Sequence, residues 1–197
     1  MATPELPPSP DFVAAQAAKT IALQMLEERG RGAVLVGVAR VDAALEHLLQ
    51  AFLSPAAAIN DGLFQPDRPL GSIGAKVALA RRLGLIDDQV ERALNALRKL
   101  RNAFAHSAES ASLADPAHND RLAPIYAEAR ANPLWAPLEA VLASQPPSAH
   151  GPLDPALQHY ILLITILVAF LEAIAQQLTP FQPPIVMRLQ ALRQQGH

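Results

Sequence analysis

Cysteine is absent from the 197 residues. That excludes disulfides, thiolate nucleophiles and thiolate metal shells, and it fits a reducing compartment such as the cytoplasm. A basic excess is missing too: 16 Lys and Arg stand against 18 Asp and Glu, a formal charge of −2. Duplex DNA binders draw much of their affinity from phosphate neutralisation and usually carry a positive balance. Direct duplex binding is therefore not expected, and the local clusters Arg81-Arg82 and Arg98-Lys99 with Arg101 read as solvated helix faces. Charge of either sign is scarce at 17%, while hydrophobic residues reach 51%. The core is ample, and an apolar face buried between subunits, hence a homodimer, is expected.

Strand patterns are nearly lacking. Apolar and polar residues do not alternate for long, and the one Asp-Gly pair, Asp61-Gly62, falls in a Pro-rich loop rather than between two alternating runs. The G-x-x-x-x-G-K-[ST] phosphate loop and the G-x-S-x-G nucleophile elbow are absent. Gly71–Lys76, GSIGAK, superficially resembles a phosphate loop, but no strand precedes it, so Lys76 reads as a surface or interface cation. His118, His150 and His159 lack metal-ligand spacing and His47 is alone, so neither a metal nor another cofactor is expected. MATPELPPSPDF has no basic and no long apolar stretch, so a signal peptide is not expected there. The strongest apolar run, YILLITILVAFL at Tyr160–Leu171, is shorter than the roughly 20 residues a bilayer demands. A helix apolar all round at that length belongs at the centre of a core, with no membrane partner.

What is present is helical periodicity throughout, which predicts an all-α helical bundle with a long central apolar helix, as one domain over 1–197. Ser9-Pro10-Asp11 should start a first helix that stops at Gly30 or Gly32. A second helix spans about 33–53, and a Pro-rich loop spans 54–70. A third runs from about Ser72 to Leu83, closed by Gly84. Asp88 and Glu91 have capping-box spacing and open a fourth helix, which reaches LRKLRNAFAHS at 97–107. Short helices are expected at 116–130 and 134–143, within an insertion-like stretch 116–152. The core helix fills 153–178, and a tail, 179–197, holds a short helix beyond Pro184. Residues 1–8 form a Pro-rich N-terminus.

Two charges fall on apolar stripes. In the second helix the run Leu35, Val38, Leu45, Leu49, Phe52 wants an apolar residue at 42 and finds Asp42. In the fourth, Val90, Leu94, Leu97 and Phe104 want one at 101 and find Arg101. A lone buried charge is costly, whereas a paired one is tolerated. Asp42 and Arg101 are therefore expected to face each other, the guanidinium gripping the carboxylate. The pair either fixes helix register or orients Arg101 for a ligand. Glu46, four residues after Asp42, and Lys76 are further binding candidates. Asn102 and His106 share a helix face, whereas Arg101 and His106 lie about 140° apart and converge only by Arg's reach, a distorted last turn or a second copy.

GRGAVLVGVARVDAALEHLLQAFL (30–53), PLGSIGAKVALARRLGLI (69–86) and LNALRKLRNAFAHS (94–107), in that order, resemble the mannitol operon repressor (MtlR) family of bacteria over roughly 20–115. The resemblance implies an all-helical, dimeric, cytoplasmic regulator of transcription, a repressor without a helix-turn-helix that acts through a protein partner. The segment after GLI begins Asp87-Asp88, which phosphate would repel. Arg101, Asn102 and His106 also resemble the motif of HEPN domains, which implies RNA as an alternative partner. If the chain is an enzyme, it is then a metal-independent endoribonuclease. His106 would move the 2′-OH or leaving-group proton, Arg101 would steady phosphoryl charge and Asn102 would orient either group. A third reading is a structural or interaction module in which the motif only locks helices.

Overall fold

A computed structural model describes residues 10–28, 30–55, 62–106, 111–145 and 153–183, with side chains from Ala17 onward. Among these residues the chain is all helix: α1 (Pro10–Met25), α2 (Gly30–Phe52), α3 (Ile73–Arg82), α4 (Asp88–His106), α5 (Pro116–Arg130), α6 (Trp135–Ala143) and α7 (Pro155–Ala175), plus one 3-10 turn at Gly62–Phe64. The expected tail helix and the Pro-rich N-terminus lie outside the described residues.

Local chemistry explains where most helices begin and end. Ser72 Oγ accepts a hydrogen bond from the Ala75 amide and starts α3, and Gly84 at φ +72° turns the chain after it. Asp115-Pro116-Ala117 and Asp154-Pro155-Ala156 use one device: the carboxylate accepts from the amide two residues on, at 2.9 and 2.7 Å, and Pro fills the first turn. For α4 the capping acid is Asp87, whose Oδ1 accepts from the Val90 amide at 2.9 Å, and not Asp88. Asp88 instead meets Arg81. The first helix stops at Met25, ahead of the glycines expected to stop it. Gly30, at φ +51°, opens α2 instead.

The centre of the molecule is α7. Residues 160–169 are buried without interruption, and α1, α2, α5 and α6 all pack on this helix. At 21 residues α7 has the length to cross a bilayer, so the shortness of the run Tyr160–Leu171 does not exclude a span. Its burial against four other helices is what makes it a core element. α2 runs parallel to α7. Tyr160 Oη donates to the Val34 carbonyl at 2.9 Å near their starts, and His47 Nδ1 meets Glu172 Oε2 at 2.6 Å near their ends. Close approach depends on Gly37, where a Cβ would come within 2.6 Å of the Tyr160 hydroxyl and 3.0 Å of its ring. α4 and α5 are antiparallel, with Phe104 against His118 at one end and Arg92 against Glu128 at the other.

The stretch 116–145 is built into this core. Leu122, Ile125 and Tyr126 of α5 and Trp135, Leu138 and Leu142 of α6 are all buried. The two helices extend the cover that α1 and α2 give α7.

Candidate functional site

Helix α3 is short, and its inward positions are Ile73, Lys76, Val77 and Ala80, an i, i+3, i+4, i+7 set. Lys76 is the polar member of that set and is only 2% exposed. Its ammonium reaches Glu46 Oε2 at 2.7 Å and Asp42 Oδ1 at 3.0 Å, carboxylates one turn apart on α2. The Glu46 contact is a hydrogen bond, whereas the Asp42 contact lies off the hydrogen-bonding line, leaving buried Oδ1 without a donor. Burial pulls the Lys76 pKa down, but the close contacts and charges of Glu46 and Asp42 outweigh it and hold the ammonium above its ordinary 10.5. Two carboxylates around one ammonium leave one negative charge, and both carboxylates remain about one-third exposed, at 33% and 32%.

The expected Asp42–Arg101 pair does not form. Arg101 is exposed, and the partner of Asp42 is Lys76. The reason is register. In α4 the core positions are Ala93, Leu94, Ala96, Leu97, Leu100 and Phe104, so Leu100 takes the place assigned to Arg101. In α2, Val41 likewise fills the interior and moves Asp42 to the flank facing α3. The structure thus joins Glu46 and Lys76, two residues singled out separately, and of the two readings of Lys76, a surface or an interface cation, it places the ammonium inside the α2–α3 contact.

Arg101, Asn102 and His106 are exposed on the last turns of α4. The helix runs regularly through His106, and its end is held by Arg31 of α2, which donates to the Ala105 carbonyl at 2.9 Å. No distortion of the last turn brings Arg101 round to His106, and the five-residue offset keeps them about 140° apart within one chain. His106 and Asn102 share their face instead with Lys99 and Asn95, at i, i+4, i+7 and i+11. Asn95 and Lys99 line a shallow groove with Arg92 and with Arg121 of α5.

Two sites escaped the sequence reading. The His159 ring is held among Tyr126 at 5.6 Å, Trp135 at 5.9 Å and Arg130, whose Nη2 lies 3.3 Å from Nε2. Burial and the neighbouring Arg130 charge lower the His159 pKa, against an opposing pull from Glu139. The second is an apolar groove between α4, α5 and α7, lined by Val90, Ile125, Leu163, Leu167, Phe170 and Ile174, of about 250 Å³. It continues into a hollow of about 410 Å³ beside Leu85 and Ile86, with Phe170 44% exposed between the two. Its signal in the sequence was the all-round apolarity of α7, which α4 and α5 do not fully cover. Among the described residues, no three His, Asp or Glu side chains are arranged to hold a metal ion.

Searches of protein families, of curated proteins and of solved structures find no match to this chain.

Proposed function

We propose that the chain is a regulatory protein that acts by docking a protein partner in the α4–α5–α7 groove. The carrying observation is that groove: an apolar surface with the exposed Phe170 shared by its two hollows. The resemblance of residues 20–115 to mannitol operon repressors supports transcription in a bacterial cytoplasm as the process regulated. A dimer fits the low charge content. The test is transcript profiling in the native host of three strains: wild type, deletion and Phe170→Asp, with the variant's fold checked by circular dichroism. A Phe170→Asp profile that matches the deletion supports the reading. A folded variant whose profile matches wild type removes it.

The exposure of Arg101, Asn102 and His106 favours a second reading, an RNA-binding or RNA-cleaving domain of HEPN type. A clasp would have buried them. Because Arg101 and His106 diverge within one chain, cleavage requires a second copy to supply one of them. Cleavage of RNA in EDTA by wild type, and by neither His106→Ala nor Arg101→Ala, would make this the leading function. RNA left intact by all three folded proteins eliminates the nuclease.

A further inference from the structure

The apolar groove has a candidate occupant in the chain itself. Its walls are mostly aliphatic and aromatic, and the charged residues that line it are Asp87 and Glu128 against Arg81, one acid in excess. A fitting segment would present aliphatic side chains on one face and carry positive charge. Besides the single residue Arg29, five stretches of the sequence lie outside the described residues: MATPELPPS, AAAIND, SAES, PPSAHGP and PIVMRLQALRQQGH. The first four hold few bulky aliphatics. The last, residues 184–197, has Ile185, Val186, Met187, Leu189 and Leu192, together with Arg188 and Arg193 and no acid. Positions 185, 189 and 192 follow i, i+4, i+7, the spacing of one helical face.

The chain also leaves the core at the right end. Phe181 donates its amide to the Phe52 carbonyl at 2.7 Å, its ring stacks on Phe52 at 5.7 Å, and Ser54 Oγ donates to the Phe181 carbonyl at 3.1 Å. This pins residue 181 to the C-terminal end of α2. Because α2 and α7 are parallel, that is also the end of α7 to which Phe170 and Ile174 belong. Three or four extended residues, at about 3.3 Å each, cross the width of one helix. The remaining residues suffice to lay two to three helical turns along the groove.

We infer that residues 184–197 seat their Ile185–Leu189–Leu192 face in the α4–α5–α7 groove, as a built-in occupant that a partner must displace. This rests on the reading of the groove as a docking surface, and it adds a regulatory element to it. The absence of cysteine makes a direct test clean. In the full chain, Leu189→Cys is combined with Phe170→Cys in the groove. A control combines it with Gln50→Cys, an exposed position two residues from Phe52 and thus closer to where the tail departs. A short bis-maleimide then reports proximity. We expect intramolecular bridging to Cys at 170 to be about tenfold faster than to Cys at 50, because seating raises the local concentration of one and not the other. Equal or slower bridging at 170 overturns the proposal. Bridging between chains overturns it in favour of a second copy in the groove. Should Phe170→Cys lose its circular dichroism signal, Gln89→Cys at the groove edge takes its place, with the same outcomes expected. Failure here leaves the transcript comparison unaffected, since that experiment reads the groove and not the tail.

Discussion

The two charged features of this molecule answer the same sequence signal in opposite ways. At the α2–α3 contact, a lysine on an apolar stripe is buried and neutralised by two carboxylates. At the end of α4, an arginine on an apolar stripe turns to solvent and pairs with neither. Their neighbours account for the difference. Lys76 has Ile73, Val77 and Ala80 around it on a short helix pressed against α2, so its position is interior whatever residue stands there. Arg101 has Leu100 beside it, and a quarter-turn of helix is enough for the leucine to take the core and leave the cation outside. An ionic residue is buried when the stripe offers no apolar substitute, and only if a counter-charge is at hand.

Breaking the buried side of this comparison should have the largest effect. Lys76→Ala leaves Asp42 and Glu46 facing each other without a cation. We expect a loss of about 2–3 kcal/mol, below the range for fully buried pairs because both carboxylates reach water. Chemical denaturation would measure it, and a loss under about 0.5 kcal/mol would show that the cluster is a surface pair in effect. Replacing the whole cluster, Lys76→Met with Asp42→Asn and Glu46→Gln, should recover most of that loss. An apolar isostere costs less than an orphaned charge. If the triple variant is no more stable than Lys76→Ala, the ions themselves hold α3 in place.

Acid and alkali should act on different parts of the fold. The raised pKa of Lys76 means that the folded state favours its charged form; this contribution is complete below pH 10.5 and is lost as pH rises through the folded value. The lowered pKa of His159 means that the folded state favours its neutral ring. That contribution is held above the ordinary value of about 6.5 and lost as pH falls below it. His159→Gln should therefore flatten the acid limb of a stability profile and leave the alkaline limb alone, while Lys76→Met should flatten the alkaline limb. The smallest effects belong to the α4 end: Arg101→Ala and His106→Ala should each change stability by less than about 0.5 kcal/mol. A larger loss in dilute protein would give the motif a structural role that its exposure does not suggest.

The fold was legible where punctuation is local. Ser72, Gly84 and the Asp-Pro-Ala pair at 115 and 154 mark helix ends by chemistry that acts over two or three residues. Among the described residues, the seven helices, their order and the centrality of α7 follow from such marks and from apolar spacing. Register was not legible, because Leu100 and Arg101 are adjacent and either can continue a stripe from Leu97 by three or four residues. The rule that singles out Asp42 and Arg101 applies equally to Lys76, which interrupts the apolar i, i+3, i+4, i+7 set Ile73, Val77 and Ala80 of α3. The His159 cluster joins three helices whose mutual placement has no local signature.

Trp135 is the sole tryptophan of the chain, and it lies buried beside the His159 ring with the Arg130 guanidinium 5.8 Å from its ring centre. The protein therefore carries one indole fluorophore, placed where α5, α6 and α7 meet. Its emission colour registers water entry at that junction, and its intensity registers the protonation of the adjacent imidazole. A displacement of α5, the helix that walls the apolar groove on one side, would be visible in unlabelled protein, with no dye or tag attached.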